Sequence, residues 1–450
     1  MEEDPSKARA ASFAKLREIF FAGLEAVDPS AAVARAVQRR GRRILVRGKS
    51  YCLDDYRRIY VVGAGKAAAP MALAMERILG ERLSGGLVVV KYGYLPHTGP
   101  REVEIVEAGH PIPDEAGRRG AERIEAVARC ATEGDLVVCL FSGGASALLP
   151  LPAVGIGLED KQEVTERLLA CGASIAEINA VRKHLSRMKG GQLARLASPA
   201  SVVSLILSDV VGDPLDVIAS GPTAPDRTTF ADCLRILGEY GLEQRLPPAV
   251  MAHLRAGAAG TVEETPKEGD PVFARVHNCV IANNLRALEA AQRKARAMGY
   301  RTLLLSSQIE GESREVAAVL SAIFKEAAAS GHPLRPPACI LSGGETTVTV
   351  RGKGRGGRNQ ELALWVATRI QGSPRISFLS AGTDGTDGPT EAAGAFVDGL
   401  TVELAAAAGM RPQDYLQENN SYVFFERLGD LFVTGPTNTN VMDLMIAIIA

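Results

Sequence analysis

The sequence is short of several things, and each shortage excludes a class of protein. It has no excess charge: 51 Lys+Arg against 52 Asp+Glu leave a net charge of -1. A chain whose main task is to hold nucleic acid through bulk positive charge is therefore not expected. It has no paired cysteines. The seven Cys are odd in number, and none stand in a CxxC spacing, so neither a disulfide framework nor a zinc ribbon is built. Several, such as Cys139, sit inside apolar runs and read as reduced core thiols. The six His, at 97, 110, 184, 253, 277 and 332, show no ligand spacing, which argues against a His-built zinc site. No apolar run approaches the roughly 20 residues of a membrane helix. The opening Met1 to Pro5 is acidic and lacks the apolar stretch of a secretory signal. A soluble, cytoplasmic chain with no membrane partner is the expectation. There is also no short repeat, low-complexity tract or coiled-coil heptad.

What is present is globular. Hydrophobic residues make up 46% and charged residues 23% of 450, and that length suggests two large domains. Phe13, Leu16, Ile19, Phe20 and Leu24 fall on one face of an opening helix. A unit then recurs: a short apolar strand, a glycine-rich turn, a helix. Strands are expected at 58–62, 86–90, 103–106, 135–141 and 201–207. Continuous apolar strands alternating with helices indicate a parallel α/β sheet covered on both faces. Residues 241–270 hold Pro247, Pro248, Pro266 and several Gly, and read as the interdomain connection. A second α/β pattern follows, starting with a strand at 276–282. The expected domains are 1–250 and 270–450.

Polar clusters concentrate at the C-terminal ends of the expected strands, the edge where open α/β sheets hold ligands. Gly63-Ala64-Gly65-Lys66-Ala67-Ala68 fits the dinucleotide turn G-x-G-x-x-G/A. The next strand ends in Lys91 where an acidic ribose partner is needed, which disfavours NAD and leaves NADP open. A phosphate-binding P-loop fails as well, with Tyr60 where Gly is required and Ala67 after the lysine. What remains is Lys66 at a helix N-terminus, where anions are favoured. Ser142-Gly143-Gly144-Ala145-Ser146 has two glycines and two hydroxyls, the makings of an anion nest. Asn179, Arg182 or Lys183, Ser186 and Lys189 form a basic stripe before Gly190-Gly191. Asp209, after the fifth strand, is a candidate base or metal ligand.

In the second half, Leu341-Ser342-Gly343-Gly344 echoes Phe141-Ser142-Gly143-Gly144. Gly352 to Glu361 gathers four glycines and three cationic side chains and reads as a mobile polyphosphate-binding loop. Arg358 is its best-placed cation, at the entry to a helix. Thr383-Asp384-Gly385-Thr386-Asp387-Gly388 lacks the closing glutamate of a calcium loop; magnesium held by few carboxylates and phosphate oxygens fits better, with an Asx-turn pair as the plain alternative. Thr437-Asn438-Thr439-Asn440 adds neutral donors.

Together these landmarks, with Gly109-His110-Pro111-Ile112-Pro113-Asp114, Ser208-Asp209-Val210-Val211-Gly212-Asp213 and Gly357-Arg358-Asn359-Gln360-Glu361, resemble the glycerate 2-kinase family. Its C-terminal half contains a MOFRL domain, at about 335–447 here, and many members carry an older hydroxypyruvate reductase label. The resemblance spans nearly the whole chain. It implies a Rossmann-like N-terminal domain, a second α/β domain, an active site in the cleft between them, and ATP- and magnesium-dependent phosphorylation of D-glycerate at the 2-hydroxyl. Lys66 and Arg358 are the implied cleft residues. Ser142, Gly143, Gly144, Ser146, Arg182 and Lys189 are candidates for the acid, and Asp209 for the hydroxyl proton. Gly63, Gly65, Gly343, Gly344, Glu345, Asn359, Thr383 and Asn438 are candidates for the nucleotide, and Asp384 and Asp387 for magnesium. A monomer or homodimer is expected. The competing readings are an NADP-dependent hydroxypyruvate reductase and a non-catalytic sugar-acid-binding protein.

Overall fold

A computed structural model describes residues 5–95 and 98–450. His97 and the acidic opening residues 1–4 lie outside the described residues. The chain divides into two compact units, Pro29–Ile281 and Met1–Asp28 with Ala282–Ala450. It opens with α1 (Pro5–Ala26), which belongs to the second of these, followed by α2 (Pro29–Ala36) and an antiparallel ribbon of β1 (Val37–Arg40), β2 (Arg43–Val46) and β3 (Lys49–Cys52).

The unit Pro29–Ile281 is built on six strands: β4 (Arg58–Ala64), β5 (Gly85–Lys91), β6 (Val103–Ala108), β7 (Asp135–Phe141), β8 (Ser201–Leu207) and β9 (Val276–Ala282). Their order is β6-β5-β4-β7-β8-β9, and the pairs from β6 through β8 are parallel. Every residue of β7 and β8 is buried, as strands without alternating polarity require when both faces are covered. α3 (Ala68–Leu79) and α4 (Glu115–Cys130) connect strands; Asp114 caps α4 by accepting from Gly117 N at 2.9 Å. The strand order reverses direction between β4 and β7. That is the topological switch point, where the flanking connections leave to opposite sides and a crevice opens.

Between β7 and β8 come α5 (Ala145–Leu148), α6 (Leu158–Ala170), α7 (Ile175–His184) and α8 (Gln192–Ala197), and after β8 come α9 (Phe230–Glu239) and α10 (Pro248–Ala258). α6, α7, α9 and α10 enclose a separate core around Leu168, Val181, Phe230, Leu237 and Leu254. The stretch expected as an interdomain connection is thus part of this unit. Pro248 starts α10, as proline does well at a first helical position. Further on, Glu264 accepts from His184 Nε2 at 2.8 Å and Thr265 Oγ1 donates to Asp226 at 3.1 Å. The strand at 276–282 closes the first sheet and does not begin the second.

The second unit carries α11 (Asn284–Ala297), β10 (Arg301–Glu312), α12 (Ser313–Ser330), β11 (Ala338–Thr347), α13 (Arg358–Ile370), β12 (Ile376–Gly382), β13 (Gly394–Asp398), β14 (Leu431–Phe432) and β15 (Asp443–Ile449). The sheet order is β10-β11-β15-β12-β13-β14. β10 and β11 are parallel, and β15 runs antiparallel between β11 and β12. α1 belongs here, not with residues up to 250. Leu16, Ile19 and Phe20 are fully buried, Phe13 stacks on Phe396 with ring centroids 4.9 Å apart, and Arg9 reaches Asp398 at 3.0 Å and Asp430 at 2.5 Å. Each such buried side chain contributes about 1.5–3 kcal/mol, so the apolar stripe fixes the helix to whichever core completes it.

Candidate active site

At the switch point the loops after β4 and β7 are clamped together. Ser142 N donates to Ala64 O at 3.2 Å and Lys66 N to Gly143 O at 2.9 Å, while Ala67 N donates to Ser142 Oγ at 2.9 Å. The closeness demands glycine. A Cβ on Gly63 would stand 2.0 Å from Leu140 O, and one on Gly65, at φ +136°, would stand 2.1 Å from Ser142 Oγ. Gly63 and Gly65 therefore serve loop-to-loop packing. The amides of Lys66 and Ala67 are committed to the facing loop instead of forming an open anion nest. A Cβ on Gly144 would lie 3.0 Å from the His110 ring and 3.6 Å from Lys66 Cγ, so Lys66, His110 and Gly144 meet. His110 Nδ1 is buried and makes no hydrogen bond to another residue. Burial, then the charges of Lys66 and Lys91, push this imidazole down to about 4, and it is neutral near pH 7.

The same loop runs into α5 and a cavity of about 300 Å³ whose polar lining includes Ser146, Lys161, Arg182 and Lys189. Three elements bring the cations there: α6 carries Lys161, α7 carries Arg182, and the turn after α7 carries Lys189. That turn is pinned by Gly190 N to Ser220 O at 2.9 Å and Gly191 N to Gly221 O at 2.7 Å. Lys189 Nζ donates to the carbonyls of Ser146 at 2.6 Å and Leu149 at 2.9 Å. Ser146 Oγ lies 2.7 Å from Ser220 Oγ, and Ser220 Oγ donates to Asn179 at 3.4 Å. Ala219 and Ser220 hold φ of +55° and +60°, local strain of about 1–3 kcal/mol each that the surrounding bonds must maintain. Lys183 turns away to Asp226 at 3.2 Å and Asp216 at 3.5 Å, and Ser186 Oγ donates to Leu151 O at 3.2 Å. Of the basic stripe, Arg182 and Lys189 line the cavity. Asp209 is half-buried just past β8.

In the second unit Arg358, at the first turn of α13, is held by two carboxylates. Its Nε and Nη2 donate to Asp443 at 2.7 and 3.0 Å, and its Nη1 to Glu345 at 2.5 Å. Asp443 is fully buried. Although burial works against its charge, the Asp443 and Glu345 carboxylates hold the Arg358 guanidinium above its ordinary range. Three of the five N–H donors of an arginine are used, leaving two. The glycine-rich loop before it is strapped down: Arg351 N and Gly352 N donate to Asn419 Oδ1 at 2.7 and 3.0 Å, and Gly354 N donates to Glu418 O at 2.7 Å. A Cβ on Gly352 would meet Glu418 Cα at 2.3 Å. These glycines answer close backbone approach, not the mobility expected of a polyphosphate loop.

Most of the other candidates of this unit are also built into its frame. Ser342-Gly343-Gly344 lies within β11, so the echo of Ser142-Gly143-Gly144 is one of sequence, without the strand-to-helix turn. A Cβ on Gly343 would lie 2.1 Å from Asn284 Oδ1, and one on Gly344 2.1 Å from Ile309 O. Asn359 Oδ1 accepts from Ser380 at 2.6 Å. Thr383 Oγ1 donates to Met442 O at 2.6 Å and accepts from Val441 N at 2.8 Å. Asn438 is exposed, with φ +59°.

The sequence matches the family described as "Domain of unknown function (DUF4147)" over residues 15–255 and the MOFRL family over 338–443. It is 44% identical over 427 residues to the glycerate 2-kinase of Pyrococcus horikoshii, covering 95% of this chain and 94% of that one. The D-glycerate 2-kinase of Thermotoga maritima is 42% identical over 433 residues, covering 96% and 97%. The chain belongs to the glycerate 2-kinase family. The crystal structure of a glycerate kinase from Thermotoga maritima superimposes with a TM-score of 0.86 at 41% identity, covering 97% of this chain and 99% of that one. An Agrobacterium vitis relative, 43% identical over 431 residues (95% and 92%), bears a provisional name as a hydroxypyruvate reductase.

For a member of the glycerate 2-kinase family, magnesium is the expected metal, and the Asp384/Asp387 pair is the place to test. The pair is split. Asp384 accepts from Thr386 N and Oγ1, both at 3.1 Å, an Asx turn. Asp387 is buried beneath α13 and accepts from Asn359 N at 3.1 Å and Gln360 N at 2.8 Å. Burial holds its carboxyl up at about 7 against those amides, with Asp443 adding to the effect. Among the described residues no group of three or more His, Cys, Asp or Glu stands ready for a metal. A magnesium ion held by both carboxylates does not fit this geometry.

Sequence reasoning missed two residues of the first unit. His110 was grouped with histidines that lack ligand spacing, although it stands inside a named motif beside Lys66. Lys161 gave no signal, since a lysine in a helix is ordinarily solvated.

Proposed function

We infer that this chain is an ATP-dependent kinase that phosphorylates D-glycerate at the 2-hydroxyl, giving 2-phosphoglycerate and ADP. The observation that carries the reading is the Lys66 turn clamped to the Ser142–Gly144 loop at the switch point, beside a cavity lined by cations, in a chain 42–44% identical to named glycerate 2-kinases.

Phosphoryl transfer needs positioning and positive charge more than covalent chemistry from the protein. In this reading Lys66 neutralises the transferred phosphoryl group, and its rigid two-loop seat keeps it aimed without reorganisation. Ser146, Arg182 and Lys189 hold the acid, and Asp209 takes the hydroxyl proton. His110, a neutral imidazole beside Lys66, is a second candidate for that proton, and comparing Asp209→Asn with His110→Asn separates the two. Arg358 enters through the family resemblance. Magnesium enters as a partner of ATP, bound by its phosphates.

The reductase reading would need a nicotinamide site. Lys91 ends β5 where the acidic ribose partner would stand, and the glycines of the turn are closed against β7. The test is incubation with D-glycerate and Mg-ATP, with the product read by phosphorus NMR, and incubation with hydroxypyruvate and NADPH. A 2-phosphoglycerate signal is expected. A 3-phosphoglycerate signal would overturn the regiochemistry, and NADPH consumption without ADP formation would overturn the kinase.

A further inference from the structure

Three cationic side chains line one cavity of the first unit with no carboxylate paired to them. Lys161 is 7% exposed, and its Nζ is buried without a hydrogen-bond partner. Arg182 and Lys189 share the lining. Lys189 is fixed by two carbonyls, and no ion pair to Lys161, Arg182 or Lys189 occurs among the described residues. Glu166, at the exposed rim, is the acidic residue of the lining. A buried cation left uncompensated is costly, and a fold that gathers three is completed by an anion from outside.

We propose that Lys161 is the anion-binding residue of this cavity, closing with Arg182 and Lys189 on the carboxylate of the acceptor acid. This deepens the glycerate kinase reading and rests on it for the identity of the acid. Lys189 orients; its amine already faces two carbonyls. Arg182 supplies a permanent charge. Two members are adjustable: burial, and then the charge of Arg182, push the Lys161 ammonium down to about 7, and burial, then the charges of Lys161 and Arg182, push that of Lys189 well below its ordinary range. Part of the population near neutral pH is therefore uncharged, and an arriving carboxylate restores the charge. Anion binding is then coupled to proton uptake from solvent. The ligand itself is not altered: the buffer acid gives up a proton and the amine gains an N–H bond as the ligand enters. The facing titratable and charged groups are Arg182, Lys189 and rim Glu166.

The test is calorimetric titration of the full chain with D-glycerate at pH 6.5 and 8.5, each in two buffers of different ionisation heat. Wild type should bind at least roughly 20-fold more weakly at pH 8.5 and take up more proton there than at pH 6.5. Lys161→Met should bind on the order of 30-fold more weakly than wild type at pH 6.5, with the gap narrowing at pH 8.5 and proton uptake reduced. Lys161→Arg should lose less affinity than wild type between the two pH values and take up less proton, which guards against a folding defect in the methionine variant. Equal affinity of wild type and Lys161→Met at pH 6.5, or undiminished proton uptake in either variant, overturns the proposal. Turnover of glycerate with no effect of Lys161→Met on its binding leaves the kinase reading standing and removes this one. If D-glycerate does not bind at all, the substrate reading fails, and inorganic phosphate replaces it as the probe. Phosphate binding weakened in Lys161→Met sustains the anion site; equal binding, or none, overturns it.

Discussion

The cations of the two units are kept in opposite ways. In Pro29–Ile281, Lys161, Arg182 and Lys189 line a cavity without carboxylate partners. In the other unit Arg358 is locked between Asp443 and Glu345. An unpaired cluster is a site waiting for charge, and its ligand must supply what the fold omits. A paired arginine is already neutralised and oriented, so it costs little to keep and loses little by being empty. Removing a cation should therefore help folding in one unit and harm it in the other.

The largest effect is expected at Lys66. Lys66→Ala should lower kcat on the order of 10³-fold with an almost unchanged melting temperature, because the turn is held by backbone bonds and Ser142. Steady-state kinetics with a thermal melt on one sample would expose the error if activity survived. Arg358→Ala should cost about 3–5 kcal/mol of stability, since it strands the buried Asp443; a urea midpoint equal to wild type would dissolve the contrast. Arg358→Lys should recover part of that stability and little activity, because an ammonium cannot reproduce the planar fork. Lys161→Met should do the reverse and raise the melting temperature at pH 7. The folded-state value of Lys161, about 7, is below that of a free lysine, so wild-type stability falls as pH drops from about 10.5 towards 7. The methionine variant lacks that loss, and the two melting curves should converge at high pH.

The smallest effect on activity is expected at Asp387. Its value of about 7 is raised above that of a free aspartate. Its contribution is full below about pH 4 and is lost as pH rises to 7, by at most about 1.4 kcal/mol per unit. Asp387→Asn should flatten that slope in pH-dependent melts while leaving the magnesium concentration for half-maximal rate unchanged. A raised magnesium requirement would restore this residue to the metal.

Much of the first sheet was legible because β7 and β8 are buried on both faces and read as unbroken apolar runs. The Lys66 turn and the Ser142 loop were legible because glycine must stand where backbones touch. The division of the chain was not, since the apolar stripe of α1 shows that a partner exists but not that it comes from residues beyond 281. The Gly352–Gly357 loop misled for a related reason: glycine signals both freedom and tight contact, and here the contact is with Glu418 and Asn419, the latter 67 residues from Gly352. Lys161 was invisible because its burial is set by the cavity and not by its helix. The split of Asp384 from Asp387 was likewise hidden, as a short motif cannot tell which carboxylate turns under a helix.

The placement of α1 has a consequence for how the molecule is made. The helix leaves the ribosome well before its shelter does, since the strands and helices that cover Leu16, Ile19 and Phe20 are encoded only after residue 281. At ordinary translation speeds that interval is roughly ten seconds to a minute, during which the greasy stripe has no native shelter while the intervening unit is free to fold. Chaperone occupancy during synthesis should therefore peak early and persist until late, and polar substitutions on that stripe should reduce it even as they weaken the finished protein.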